Sequence, residues 1–386
     1  MRIAQVTYST KPRGGVVHTL ALAEALARRG HDVTVWTLGR GGDTVFFRDV
    51  DPAVTIRVVP FEARDDESVG ERIQRSIVEM RRAFEPAAGD YDIVHAQDCI
   101  SANAVGRCIR TIHHLDEFTT PELIACHERA VRDPIARICV SAAVASEVHD
   151  GWGLAPTVIP NGVDAARFAA AASARRESAG SAGPNSLPPD LGPYVLALGG
   201  IEPRKGSLDL IEAFARLRVT HPATRLVFGG GETLFDYRPY REAFDARMQE
   251  LGLDPLILGV LDEADVAPLV AGAATLAFVS TKEGFGLAAM EALAASVPVV
   301  ARDLPVLREV FGDTVLYASD VEAIAEQLAA ALDGAAPDPE AGRTLAAGHD
   351  WDDVAALHEV FYARVGEGGD RGQAVDLTDH HGARRG

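Results

Sequence analysis

The chain has 386 residues, 47% of them hydrophobic, and a net charge of 37 − 56 = −19 at neutral pH. That length exceeds what one core usually organises, so two domains are expected, and the hydrophobic share is that of an ordinary soluble globular protein. The acidic balance excludes generic nucleic-acid binding, because such a surface repels a polyanion, and leaves only a local basic pocket for a small anion.

The first residues, Met1 to Ser9, read as a short strand and lack the apolar core of a secretory signal. Ile3 to Tyr8 is the first strand and Val16 to Arg29 the first helix, with Gly30 as its stop. Gly14 and Gly15 fall between them, in a turn that permits close approach of a phosphate; a simple tight turn is an equal reading. Strands follow at Val33 to Leu38 and Val54 to Pro60, then a charged amphipathic helix from Val69 to Phe84. Short buried strands come next at Tyr91 to His95, Cys108 to Ile112 and Arg137 to Val140. This alternation predicts a parallel sheet with helices on both faces.

Residues 169–193 are rich in Ala, Ser, Gly and Pro without an apolar period, and are expected to be a linker or disordered insertion. The alternation then restarts, with strands at Tyr194 to Leu198, Arg225 to Phe228, Leu256 to Leu258, Leu276 to Val279, Val297 to Val300 and Val315 to Tyr317. The expected organisation is therefore a first domain over 1–168, the linker, a second domain over 194–350, a C-terminal helix over 351–365 that packs back toward the first domain, and a disordered tail over 366–386. Both domains are expected to be doubly wound α/β sheets, which bind ligands beyond the carboxyl ends of their strands. Two such halves facing one another would enclose a cleft. No apolar run reaches membrane-spanning length. Cys99, Cys108, Cys126 and Cys139 form no CxxC pair, so buried reduced thiols in a cytoplasmic protein are the expectation.

The run Lys282-Glu283-Gly284-Phe285-Gly286-Leu287-Ala288-Ala289-Met290-Glu291 carries most of the chemistry. It lies where an apolar strand gives way to an Ala-rich helix. An ionised carboxylate accepts hydrogen bonds and donates none, which suits the hydroxyls of a sugar or ribose. The backbone N–H groups at the helix start suit phosphate. Glu291 leans back toward that start, because helical side chains tilt toward the N-terminus. A solvated pair of glutamates is the plain alternative, and the strand–loop–helix setting argues against it.

This run resembles the E-x7-E signature of retaining glycosyltransferases of the GT-B fold, in the large family four. Ile159-Pro160-Asn161-Gly162-Val163-Asp164 is similar to that family's domain-exit motif, and Phe228-Gly229-Gly230-Gly231-Glu232 to its second glycine loop. Pro298 to Ala301 and Pro305 to Val310 match the segment after the glutamates. The similarity spans nearly the whole chain and points to an actinobacterial-type branch. It implies two Rossmann-like domains facing a cleft, with the nucleotide bound by the second.

The resemblance also implies roles. Glu283, with the backbone of Gly284, Phe285, Gly286 and Leu287, would hold the donor sugar, and Glu291 the nucleotide ribose. Lys205 would neutralise the diphosphate. Gly14, Gly15 and Gly230 would lie near the donor. His113 would sit by the donor sugar, with His114 second in line, and Asp116 would face the acceptor. One departure stands out: the family has an arginine five residues before the lysine, where this chain has Gly200, so Arg204 is expected to supply the missing charge. No metal and no cofactor are expected. Adjacent histidines on an extended backbone point apart, which disfavours a metal at His113 and His114.

The expected function is transfer of a sugar from a nucleotide-diphosphate-sugar donor to an acceptor hydroxyl on a sugar, lipid or small metabolite. Two rivals stay open at this stage: a nucleotide-sugar epimerase or phosphorylase of the same fold, and a non-catalytic nucleotide-sugar-binding protein. Amphipathic helices in the first half leave room for weak peripheral contact at the inner face of a membrane, although the acidic balance does not encourage it.

Overall fold

The computed structural model describes residues 1–64, 67–115, 118, 120–177, 191–231 and 237–366. The chain forms two compact units. The first is Met1–Gly162 with the C-terminal segment that starts at Trp351, and the second is Val163–Asp350.

The first unit contains β1 (Arg2–Val6), α1 (Gly14–Arg28), β2 (Asp32–Arg40), β3 (Val54–Phe61), α2 (Val69–Phe84), β4 (Ile93–Ala96), α3 (Cys99–Val105), β5 (Ile109–Ile112), α4 (Pro121–Arg132), β6 (Ala136–Cys139), α5 (Ala142–Trp152) and β7 (Thr157–Val158). The strands pair in parallel in the order β3-β2-β1-β4-β5-β6-β7, with Ile3 opposite both Val33 and Ile93. The order reverses between β1 and β4, so the crevice beyond their carboxyl ends is the place where such a sheet takes a ligand. Helix α2 shows how local sequence sets an element. Ser68 and Glu71 form a reciprocal capping box at its start, and Ile73, Ile77, Met80 and Phe84 line its buried face at helical spacing.

The second unit contains α6 (Ala165–Glu177), β8 (Tyr194–Leu198), α7 (Ser207–Thr220), β9 (Arg225–Gly229), α8 (Arg238–Leu251), β10 (Leu256–Ile257), α9 (Glu263–Gly272), β11 (Thr275–Phe278), α10 (Leu287–Ala294), β12 (Val299–Arg302), α11 (Pro305–Phe311), β13 (Leu316–Ala318), α12 (Val321–Leu332) and α13 (Pro339–Ala347). Its parallel order is β10-β9-β8-β11-β12-β13, with the reversal between β8 and β11. The buried strands read as continuous apolar runs, as both faces of a parallel sheet are covered. The last helix, α14 (Trp351–Gly366), belongs to the first unit, where Trp351, Val354, Phe361 and Tyr362 join Leu20, Leu22 and Leu26 of α1 in one core.

Three expectations need correction. Residues 169–177 are helical rather than linker: alanine has the highest helix propensity, and Phe168 and Ala172, one turn apart, are buried. The remainder of the expected linker, 178–190, and the expected tail from 367 onward lie outside the described residues. The unit boundary falls at 162/163 rather than at 168. At that point a Cβ on Gly162 would come within 2.4 Å of the Trp351 ring, so only glycine lets the two segments pass. Finally, Gly14 and Gly15 are the first residues of α1 itself, not a turn ahead of it. Among the described residues no helix is long and apolar enough to cross a membrane. Cys99, Cys108, Cys126 and Cys139 are free thiols, and all but Cys99 are buried.

Candidate functional site

In the second unit the candidate residues gather beyond the carboxyl ends of β8 and β11, on either side of the strand-order reversal. Two loops are clamped together there. The loop after β8 passes through a tight turn at Pro203–Lys205 and leaves it at Gly206, which has φ +66°. A Cβ on Gly206 would stand 2.4 Å from the Val279 carbonyl oxygen, so the close approach requires glycine as well. Thr281 N donates to Arg204 O at 2.7 Å, and Arg302 of β12 donates through Nε to Val279 O at 3.1 Å and reaches Asp209 at 2.5 Å.

The clamp delivers Lys205 and Arg204 to one carboxylate. Lys205 Nζ donates to Glu283 Oε1 at 2.7 Å and Arg204 Nη1 to the same oxygen at 3.2 Å, while Arg204 Nη2 lies 3.4 Å from Glu202. The Glu283 side chain is only 10% exposed. Burial works to raise its carboxyl, but Lys205 and Arg204, with hydrogen bonds from Lys205 and Ser280, outweigh burial and hold it down at about 2. Lys205 also runs along Gly199, whose absent Cβ would meet Lys205 Cε at 3.2 Å.

Gly284, Phe285 and Gly286 are buried. Gly286, with φ +102°, precedes α10, and a Cβ there would meet the Phe311 ring at 2.9 Å. No side chain caps α10, and Gly286 O accepts from Ala289 N and Met290 N, so the N–H groups of Leu287 and Ala288 are the ones left without partners within the helix. Gly230 has φ +147° and presses backbone to backbone on Gly199, where a Cβ would lie 2.4 Å from the Gly199 carbonyl carbon.

Glu291, on α10, has a different environment. Its carboxyl makes no hydrogen bond or ion pair among the described residues. Burial pushes it up to about 8; Arg167 opposes that rise, and Glu263 and Asp164 add to it. Arg167 is itself engaged by Glu263, and Asp164 accepts from Arg167 N at 3.1 Å. The two glutamates of the signature are thus unlike: one ionised between two cations, one poised to hold its proton.

In the first unit, His113 follows β5 and meets the start of α1. A Cβ on Gly15 would contact its ring at 3.5 Å. Its Nε2 lies 3.3 Å from Gln97 Oε1, and its ring packs edge-on against His18 with centroids 4.8 Å apart. Burial lowers its pKa to about 3, helped by His114 and Arg110. His18 Nδ1 donates to Asn161 Oδ1 at 2.9 Å, and the buried Nε2 of His18 has no hydrogen-bond partner. Helix α1 starts at Gly14 with no side-chain cap. His114 is half-buried next to His113, and Asp116 lies outside the described residues, as does Glu232. Among the described residues no group of three or more His, Cys, Asp or Glu is placed to hold a metal ion.

Gly206, Arg302, His18 and Gln97 also belong to the candidate sites and lie outside the sequence motifs. Gly206 was signalled by its place between the Arg-Lys pair and a helix. His18 was signalled by a polar ring on the apolar face of the first helix. Tyr240 has a structural task, since its hydroxyl accepts from Leu208 N at 3.1 Å at the start of α7.

The family model described as Glycosyltransferase Family 4 matches residues 12–167, and the one described as Glycosyl transferases group 1 matches residues 184–343. The chain is 29% identical to a glycogen synthase of Mycobacterium tuberculosis, covering 94% of this chain and 95% of that protein. It is 30% identical to a D-inositol 3-phosphate glycosyltransferase of Acidothermus cellulolyticus, over 78% of this chain and 75% of the relative. Among solved structures it is similar in fold to Anabaena HepE in complex with UDP and glucose, with a TM-score of 0.70, 20% identity, and 94% and 99% of the two chains covered. The chain belongs to glycosyltransferase family 4 and is a hexosyltransferase-type glycosyltransferase of the GT-B fold.

Proposed function

We propose that the protein transfers a hexosyl group from a nucleoside-diphosphate sugar to an acceptor hydroxyl, with retention at the anomeric carbon. The observation that carries this reading is the Lys205–Glu283–Arg204 cluster at the strand-order reversal of the second unit. The bond broken in such a transfer leaves a diphosphate, and stabilising its developing charge is the main catalytic lever available to a protein. Lys205 is a point charge and Arg204 a fork, and Glu283 holds both side by side before a donor arrives. Arg204 thereby stands in for the charge missing at Gly200.

The other assignments follow from chemistry. Glu283 and the backbone of Gly284, Phe285, Gly286 and Leu287 take the hydroxyls of the donor sugar and the adjoining phosphate. Glu291 takes the ribose hydroxyls; it has no partner among the described residues, and hydroxyls that donate to it favour its ionised, acceptor-only form. Gly230 keeps the neighbouring backbone thin. In the first unit, the uncapped start of α1 at Gly14 and Gly15 suits phosphate, and His113, a neutral imidazole, meets a sugar hydroxyl. The UDP and glucose named with the Anabaena structure support a uridine nucleotide donor. No side chain need act as a nucleophile, so the work is positioning and charge stabilisation.

A thermal-shift panel of UDP-, GDP- and ADP-sugars tests the reading, because a ligand that binds the folded state raises its melting temperature. One nucleotide class should stabilise the protein, and Glu291→Ala should abolish that shift. No shift with any nucleotide sugar would sink the proposal. Interconversion of the donor without an acceptor would favour an epimerase instead.

A further inference from the structure

The interior of the first unit holds a continuous path of hydrogen bonds that ends at His113. Thr111 Oγ1 lies 2.7 Å from His95 Nε2, and His95 Nδ1 lies 2.7 Å from the Tyr362 hydroxyl. Gln5 Nε2 donates to that hydroxyl at 3.1 Å, Gln97 Nε2 donates to Gln5 Oε1 at 2.8 Å, and Gln97 Oε1 lies 3.3 Å from His113 Nε2. Thr111, His95, Tyr362, Gln5 and Gln97 are all at most 2% exposed, so water does not compete for these groups. The path joins β1, β4 and β5 to the last helix of the chain, α14.

Each link constrains the next. A phenol has one hydrogen. The Tyr362 oxygen accepts from Gln5, and its buried hydrogen has His95 Nδ1 as the acceptor among the described residues, which leaves His95 Nε2–H to donate to Thr111. In the other direction, the Gln5 carbonyl accepts from the Gln97 amide N–H. That turns the Gln97 carbonyl toward His113, and a carbonyl oxygen only accepts. The hydrogen of that last bond must therefore sit on His113 Nε2. His113 Nδ1, which has no partner among the described residues, is then left with its lone pair. Burial keeps His95 and His113 neutral, so one tautomer per ring accounts for both.

We infer that Tyr362, Gln5 and Gln97 are positioning residues that hold His113 as the Nε2–H tautomer, so that Nδ1 is the atom it offers to a sugar hydroxyl, as an acceptor. The functional half of this statement rests on the role proposed for His113 above. The structural half stands alone. It makes α14, more than two hundred residues from His113 in sequence, part of what orients that ring.

The test uses the full-length protein labelled with 15N-histidine, without ligand, at neutral pH. Long-range 1H–15N correlation spectra report which ring nitrogen carries the hydrogen, and His113→Gln assigns the His113 signals by their loss. The expected spectrum shows protonated Nε2 and unprotonated Nδ1 on His113. Tyr362→Phe and Gln97→Met should both move the two His113 nitrogens toward each other in shift, as the second tautomer becomes populated, while the signals of His221, in the second unit, stay in place. A merely structural role for Tyr362 would leave the His113 nitrogens where they are. Should Tyr362→Phe fail to fold, the wild-type spectrum and Gln97→Met decide. An Nδ1–H tautomer in the wild type, or unchanged His113 signals in the folded variants, overturns the inference. The role of His113 itself is read separately, by donor turnover of His113→Ala with UDP-glucose as probe, so the two readings fail independently.

Discussion

Glu291→Gln is expected to make the folded protein more stable and its nucleotide binding weaker. The Glu291 carboxyl sits at about 8 in the folded protein against an ordinary 4.5. A carboxyl whose folded pKa lies above its unfolded value holds its proton more tightly when folded. Its contribution to stability is therefore neutral below about pH 4.5 and turns unfavourable as pH rises from there to 8. At pH 7 the interval from 4.5 covers 2.5 units, roughly 3 kcal/mol before solvent screening and about 1–2 kcal/mol after it for a half-buried group. Glutamine keeps the shape and removes the charge. Calorimetric melts of wild type and Glu291→Gln should show a variant advantage that widens by about 1–2 kcal/mol between pH 6 and pH 8.5. A gap that is constant with pH, or a variant less stable at pH 8.5, refutes the argument that this carboxyl is strained by burial. The second half follows from the same physics. Ribose hydroxyls that donate to the carboxylate favour its ionised form, so nucleotide binding at pH 7 should release a proton. Calorimetric titrations in buffers of different ionisation enthalpy would detect it, and Glu291→Gln should lose it.

Lys205→Ala should lower donor turnover roughly 100- to 1,000-fold, the usual loss for one charge-stabilising donor, and Arg204→Ala should lower it about tenfold; unchanged turnover in Arg204→Ala would refute its replacing the charge absent at Gly200. Gly206→Ala forces a Cβ to 2.4 Å from Val279 O at φ +66°, so it should destabilise the second unit by about 1–3 kcal/mol, measured by urea unfolding. His18, His95 and His358, which are buried, and the half-buried His113 have lowered pKa values, His358 at about 4, with desolvation the first cause. Their folded pKa lies below the ordinary 6.5, so the stability they contribute is present above that pH and is lost as pH falls through it toward the folded values. Trp36, Trp152 and Trp351 all lie in the first unit, so tryptophan fluorescence should report a steep acid transition of that unit, and His358→Phe should move its midpoint to lower pH.

Much of the fold was written in local pattern. The strand Tyr194–Leu198 and the helix Val69–Phe84 appear in the structure with the bounds their periodicity implies, because an apolar run bounded by breakers and a capping box are both local signals. The helix Ala165–Glu177 was hidden, since alanine carries no apolar period and its partner helix comes almost a hundred residues later. The site divided the same way. Glu283 and Glu291 were legible because spacing within one strand–loop–helix turn encodes them, and Lys205 through the family resemblance of its own turn after β8. The clamp that joins Lys205 to Glu283 was not, because Gly206 and Val279 meet only once β8 and β11 pair. Nor was the opposite ionisation of the two glutamates. That depends on which cations reach each one, and both Lys205 and Arg167 come from distant segments.

The two units solve different electrostatic problems, each with its own doubly wound parallel sheet. Beyond β8 and β11 charge is kept: Lys205 and Arg204 flank Glu283, hold its carboxyl down at about 2, and are themselves placed by glycine-permitted backbone contacts. Beyond β1 and β4 three histidines are kept neutral: His18 and His95 are buried and His113 half-buried, none has a carboxylate partner among the described residues, and amides and a phenol connect His95 to His113. That division suits a reaction in which negative charge builds on a departing diphosphate and positive charge on the sugar. Cations belong with the phosphate. A histidine beside a sugar that becomes positive serves better as a neutral acceptor than as an imidazolium, since like charge at that point would raise the barrier. A substitution that places a carboxylate next to His113, such as Gln97→Glu, should therefore raise the histidine's pKa and bring a new acid limb into the pH–rate profile, because the protonated ring now opposes the developing cation. If Gln97→Glu leaves that profile unchanged while His113→Ala abolishes turnover, the ring acts without regard to its charge, and this division of labour between the units fails.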